Sequence, residues 1–156
     1  MKTKPLVFFL ATALALPVLA EARPVVFATE LSTYNGDGAY VALYLTDANG
    51  LYKQTLWIAG EKAKYYKHLG DWARGSRMRR AEYDGMTGAS VHSGQTLRVT
   101  IDLDDALIDA GYQVHIDTSV EDMRDHRSEV VAPLTTEGAG KPIAGKGYVK
   151  SLTYTF

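Results

Sequence analysis

Residues Asp84-Gly85-Met86-Thr87-Gly88-Ala89-Ser90 bring a carboxylate, two hydroxyls and small residues together in a short run. Ser90 is a hydroxyl suited to attack on an electrophile. Gly88 and Ala89 leave room for a bulky group to approach the backbone, and Gly88 can take positive φ. Asp84 is placed to orient the loop through an Asx-type hydrogen bond or to assist deprotonation. The plain structural alternative is a Gly-Ala turn between a helix and a strand, which Gly88 alone would serve.

The other candidate groups are weaker. Gly140-Lys141-Pro142-Ile143-Ala144-Gly145-Lys146-Gly147 imitates a phosphate-binding loop. It lacks the Ser/Thr that would hold magnesium, contains a proline and runs into a strand, so it reads as a hairpin loop. His115 and Asp117 share the outer face of one strand and His126 follows. These read as scattered surface groups rather than a metal site. Asp102, Asp104 and Asp105 do not have calcium-loop spacing. No nucleophile–base pair of hydrolytic type is visible, and the chain is not expected to be an enzyme in its own right.

The elements that must position the Asp84–Ser90 run are mostly strands. Leu97, Val99, Ile101 and Leu103 alternate with Thr96, Arg98, Thr100 and Asp102. Tyr112, Val114 and Ile116 alternate in the same way, as do Leu152, Tyr154 and Phe156 at the chain end, where a paired strand is expected. Val25 to Ser32 and Ala39 to Thr46 flank the turn signal Tyr34-Asn35-Gly36-Asp37-Gly38. Asp47-Ala48-Asn49-Gly50 joins the latter strand to Leu51–Ile58 as a hairpin. A strand near Ser128 to Pro133 completes about seven. The pattern predicts an all-β, immunoglobulin-like sandwich, a single domain over residues 23–156. Residues 60–94 break it and read as a helical and loop insertion. There Ala63, Tyr66, Leu69 and Ala73 fall at helical spacing, with Gly70 as a C-cap.

The ends and composition restrict the function classes. Lys2 and Lys4 precede an apolar run from Leu6 to Leu16, then small residues that fit cleavage after Ala20 or Ala22. Residues 1–22 therefore read as an export signal, too short to remain as a membrane span, and the mature protein is expected in the periplasm without membrane insertion. The chain has no cysteine, which removes disulfides, thiolate metal sites and thioether-bound haem. A formal net charge of -1 argues against a nucleic-acid partner. Charge is nevertheless uneven: Lys62, Lys64, Lys67, Arg74, Arg77, Arg79 and Arg80 crowd one stretch. They read as a solvated face or as a docking face.

The Asp84–Ser90 run has the form Asp-x-x-Ser/Thr-Gly-Ala-Ser/Thr, which resembles the acceptor motif of ApbE-type flavin transferases. That likeness implies FMN attached as a phosphoester on Ser90. Asp84, Gly85, Thr87, Gly88 and Ala89 would be its supporting residues, with Thr87 in a supporting place rather than as the acceptor. Downstream, Val91-His92-Ser93-Gly94 departs from the hydroxyl-rich helical continuation of FMN-binding domains in sodium-pumping complexes, so a different host fold is implied. A second likeness runs through Ala39–Tyr44, Gln54–Trp57, Lys64–Leu69 with Trp72, and the Thr-Gly-Ala-Ser run. It resembles the predicted periplasmic proteins of domain of unknown function 2271.

These likenesses imply an exported electron carrier loaded by an ApbE-type flavin transferase. They also imply a PepSY-type membrane redox protein as partner, in a setting of iron reduction or uptake. Covalent flavin is one of the few redox cofactors that needs no thiol. Tyr65, Tyr66, Trp72 and Tyr83 are expected to be available for stacking on the flavin ring, with core packing as the alternative for Tyr66 and Trp72. Arg77, Arg79 and Arg80 are expected either to pair with the ester phosphate or to meet an acidic partner. The competing expectation is a cofactor-free binding module that holds a membrane partner.

Overall fold

In the computed structural model, residues 21–156 are described; residues 1–20, most of the expected export signal, lie outside them. Two antiparallel-rich sheets face one another. The first has the order β5(Thr96–Asp104), β1(Ala22–Leu31), β9(Val149–Thr155), β8(Ile143–Ala144). The second runs β4(Thr87–Gly88), β3(Tyr52–Ala59), β2(Tyr40–Thr46), β6(Gln113–Ser119), β7(His126–Pro133). Seven of these are full strands and two are dipeptides, so the all-β sandwich expected from periodicity is what forms.

The connectivity is immunoglobulin-like. β1 pairs with β5, and β2 with β6, as the B–E and C–F pairs of that fold do. β3 and β7 then occupy the C′ and G positions, and the C-terminal β9 sits on β1 where strand A would lie. Val25, Phe27, Leu31, Leu43, Leu45, Leu103, Val114, Ile116, Leu152 and Tyr154 fill the space between the sheets, each at most 1% exposed.

The insertion between β3 and β5 covers the outer face of the second sheet. It holds a 3₁₀ turn (Ala63–His68), then α1(Gly70–Ser76), a second 3₁₀ turn (Arg80–Glu82) and β4. The helical spacing is thus split. Gly70 opens α1 instead of closing a helix, and a Cβ there would lie 2.3 Å from Arg127 Nε. Tyr66, Leu69 and Trp72 pack on Ala42, Tyr44 and Ile58 as a second, largely aromatic core. Tyr66 meets Trp72 at 5.7 Å and Tyr83 at 5.2 Å between ring centres. The Trp72 indole donates to Thr55 Oγ1 at 2.8 Å, and Tyr66 donates to the Gly60 carbonyl at 2.7 Å.

One carboxylate pins this layer. Asp117 on β6 is fully buried. Its Oδ2 accepts from the backbone N–H of Asp71 (2.7 Å) and Trp72 (2.8 Å), capping the start of α1. Its Oδ1 accepts from the Ser128 amide (2.7 Å) and the Tyr44 hydroxyl (3.0 Å). His115, two residues earlier, lies beneath the same helix, 7% exposed, with Nε2 3.1 Å from Thr46 Oγ1 and Nδ1 3.2 Å from Ser128 Oγ. His115 and Asp117 are therefore interior, not the surface groups that strand alternation suggests, because α1 covers that face. His126 packs edge-on against Tyr148 at 4.9 Å.

Two consequences can be measured. Asp117→Asn keeps the shape but puts an amide where four donors converge. It should cost about 2–4 kcal/mol, because buried donors lose their acceptor. Urea unfolding should show a lower midpoint at unchanged slope. Burial lowers the His115 pKa from 6.5, against the pull of Asp117 and Asp71. The folded chain then binds its proton at lower pH than the unfolded chain, so stability is full above about 6.5 and falls as acid is added. Burial raises the Asp117 pKa, an effect of opposite sign that a change at His115 leaves in place. His115→Gln should therefore flatten the stability profile on the acid side of about pH 6.5.

Candidate functional site

The Asp84–Ser90 run starts at the exit of the second 3₁₀ turn. Gly85 takes φ +77° in open space, as a tight turn requires. The chain then joins the edge of the second sheet. Ile58 donates to the Met86 carbonyl at 2.9 Å, Thr87 and Gly88 pair in parallel with Ile58 and Ala59, and Gly60 donates to the Gly88 carbonyl at 2.7 Å. Three residues later Val91 forms a reciprocal bridge with Ala39, at 2.7 and 2.9 Å. Ala89 and Ser90 thus span two fixed points with almost no slack.

Each residue of the run has a definite place. Gly88 faces Trp57, and a Cβ there would lie 2.8 Å from the indole, so close packing is what requires glycine. Thr87 is exposed and points away from the core. The Asp84 carboxylate is exposed and its nearest cation is Arg80 at 3.9 Å. Among the described residues it accepts no hydrogen bond from the run, so backbone pairing, not an Asx bond, holds the loop. Ser90 is half-buried and its hydroxyl makes no hydrogen bond among the described residues. Gly38 lies directly beside it, since a Cβ added there would be 2.6 Å from Ser90 Oγ.

Ala89 and Ser90 form part of the wall of an open cleft of about 720 Å³. Its other walls come from Asp37 and Gly38 in the β1–β2 loop, Glu61 and Lys62 after β3, Tyr40, Tyr65 and His68, and residues 119–123 with Asp125. This is the end of the sandwich at which the B–C and F–G loops meet, the end that carries recognition in variable domains. Tyr40 and Tyr65 meet edge to face at 5.8 Å. His68 Nδ1 lies 3.0 Å from an Asp125 oxygen.

Of the four aromatics expected to serve a flat ring, only Tyr65 lines this cleft. Tyr66 and Trp72 are consumed by the second core, and Tyr83 packs against both. The arginines are likewise elsewhere: Arg79 binds Glu82 and Arg80 faces Asp84. Lys62 is the lysine of the wall. Tyr40 and Gly38 were not legible as site residues, because loops distant in sequence bring them to Ser90, while Lys62, read from the sequence as part of a solvated or docking face, lies in this wall. The look-alike phosphate loop carries the dipeptide strand β8, paired with β9, and no helix follows it. No three of the described His, Asp and Glu side chains converge as a metal ion would need.

No helix of the described residues is long and apolar enough to cross a membrane. No curated protein and no solved structure matches the chain. The family model described as "predicted periplasmic protein", domain of unknown function 2271, matches residues 22–151, and the chain belongs to that family.

Proposed function

We propose that this periplasmic protein carries FMN esterified to Ser90 and acts as an electron carrier. The observation that supports this most is the seating of Ser90. An unbonded hydroxyl stands on a two-residue span fixed at both ends, in the wall of a cleft of about 720 Å³. Cofactor-sized ligands occupy clefts of roughly 300–1,000 Å³. The residues fit the group: Gly38 leaves space at the ester, and Tyr40 and Tyr65 offer aromatic surface for the ring.

Loading is a phosphoryl transfer in which Ser90 Oγ attacks the FMN phosphorus of FAD, the diphosphate bond breaks and AMP leaves. The serine proton passes to a base of the transferase. Bound flavin supplies one- and two-electron transfer at this position. Thr87, exposed on β4, does not share the cleft and keeps its supporting place. Resemblance supports an ApbE-type transferase for loading and a PepSY-type membrane protein as redox partner, in iron reduction or uptake. The rival reading is a cofactor-free module that uses the same loop end to hold a partner.

Co-expression with a flavin transferase, denaturing electrophoresis and ultraviolet imaging separate the two. A fluorescent band, and an intact mass increased by FMN less one water, should appear for the wild type and for Thr87→Ser. Both should vanish in Ser90→Ala. Gly38→Ala, which sets a single methyl group against the Ser90 side chain at a position of ordinary φ, should reduce loading while the thermal midpoint stays near that of the wild type. A wild-type chain that stays bare beside an active transferase overturns the carrier and leaves the module.

A further inference from the structure

We propose that the mouth of the Ser90 cleft is the docking face for a protein partner that presents a lysine- and arginine-rich surface. The proposal rests on the reading of Ser90 as the working residue. Five carboxylates line the cleft, those of Asp37, Glu61, Glu121, Asp122 and Asp125, against the single lysine Lys62. Elsewhere Glu30 meets Lys150 at 2.8 Å, Asp47 meets Lys53 at 3.1 Å and Asp105 meets Arg23 at 2.5 Å, while the exposed Asp102 and Asp109 stand apart from one another without a cation among the described residues. Among the described residues Asp37, Glu61, Glu121 and Asp122 form no ion pair, while Asp125 pairs only with His68. Three separate loops supply them, so the fold concentrates a negative charge that the chain's net charge of -1 conceals.

The same face carries apolar surface. Met123 is 40% exposed next to Glu121 and Asp122 in sequence, and Tyr40 and Tyr65 line the wall with it. Exposed apolar groups among charged ones suit a protein docking site, and charge complementarity fixes the sign of the partner. The basic insertion offsets the cleft only in part: Arg74, Arg79 and Arg80 face Asp71, Glu82 and Asp84, while Lys64 lies over the Tyr65 ring at 4.8 Å and joins Lys62 against the five carboxylates. Docking of a basic surface here would bring the partner directly over position 90. The attraction would speed encounter and weaken with salt.

The chain has no cysteine, so Ser90→Cys introduces a unique thiol whose reactivity reports the local potential without flavin. A trimethylammonium methanethiosulfonate should modify it roughly tenfold faster than the sulfonate analogue at low ionic strength, after normalisation to free cysteine. The ratio should fall toward one in molar salt and in Glu121→Gln/Asp122→Asn. Asp122 sits at φ +59°, a conformation asparagine tolerates. A ratio at or below one in the parent overturns the proposal. A bimane attached to the thiol of the Ser90→Cys variant should respond to decalysine, and the response should weaken when Glu121 and Asp122 are also neutralised. Decalysine binding unchanged by neutralisation, or a response to hexaamminecobalt(III) with none to decalysine, overturns a protein docking face. A wild-type chain that never accepts flavin leaves these rates unaltered, so the two ideas fail separately.

Discussion

The buried carboxylate of Asp117 is the contact on which the architecture of the cleft turns. Placing an ionised group in a protein interior carries a desolvation cost that is offset only when its lone pairs are filled. Here four donors fill them, from α1, β7 and β2. Burial and the neighbouring carboxylate push the Tyr44 pKa up, which keeps that hydroxyl protonated as a donor. The same contacts satisfy amides at the start of α1 that would otherwise be orphaned beneath a helix only seven residues long. Because Tyr65 and His68 lie immediately before α1, the wall they form is placed by an acid that never touches the cleft.

A second buried acid does similar work at the other edge. Glu129 on β7 accepts from the backbone of Gly147 (2.8 Å) and Val149 (2.5 Å) and from the Thr118 hydroxyl. It thus ties the five-stranded sheet to the entry of β9 in the other. With no disulfide available, hydrogen-bonded carboxylates hold together layers that hydrophobic packing alone leaves free to slide.

How much of this could be read from the chain follows from the range of each interaction. Strands with one buried face, such as Leu97–Leu103, declare themselves because alternation is local. Asp117 and His115 were misplaced because alternation assigns one strand face to solvent, and only the insertion, about 40 residues away in sequence, reverses that. Gly70 resembled a terminator because its role depends on Arg127, which lies beyond any local window. The Asp84–Ser90 run stands out locally as a cluster of small and hydroxyl residues, while its β4 pairing does not, since a parallel dipeptide strand has no periodicity to detect. The cleft was illegible for the same reason: Gly38, Tyr40, Lys62 and Ser90 belong to different segments that only sheet register brings together.

The acidity of the cleft opposes an anionic cofactor held by affinity alone, and the covalent bond proposed at Ser90 would resolve the conflict. A site that bound free FMN would need cations around the phosphate, because like charges in partial burial raise the cost of occupancy. An ester removes that demand: the ring is kept at an effective concentration set by the length of its tether, whatever the local field. The walls are then free to carry charge for another purpose, and negative charge suits recognition of a basic protein. On this argument the tether and the acidic rim are two halves of one arrangement. In the proposed arrangement Ser90 would supply the first, and loops contributed by β1, β3 and β6 supply the second.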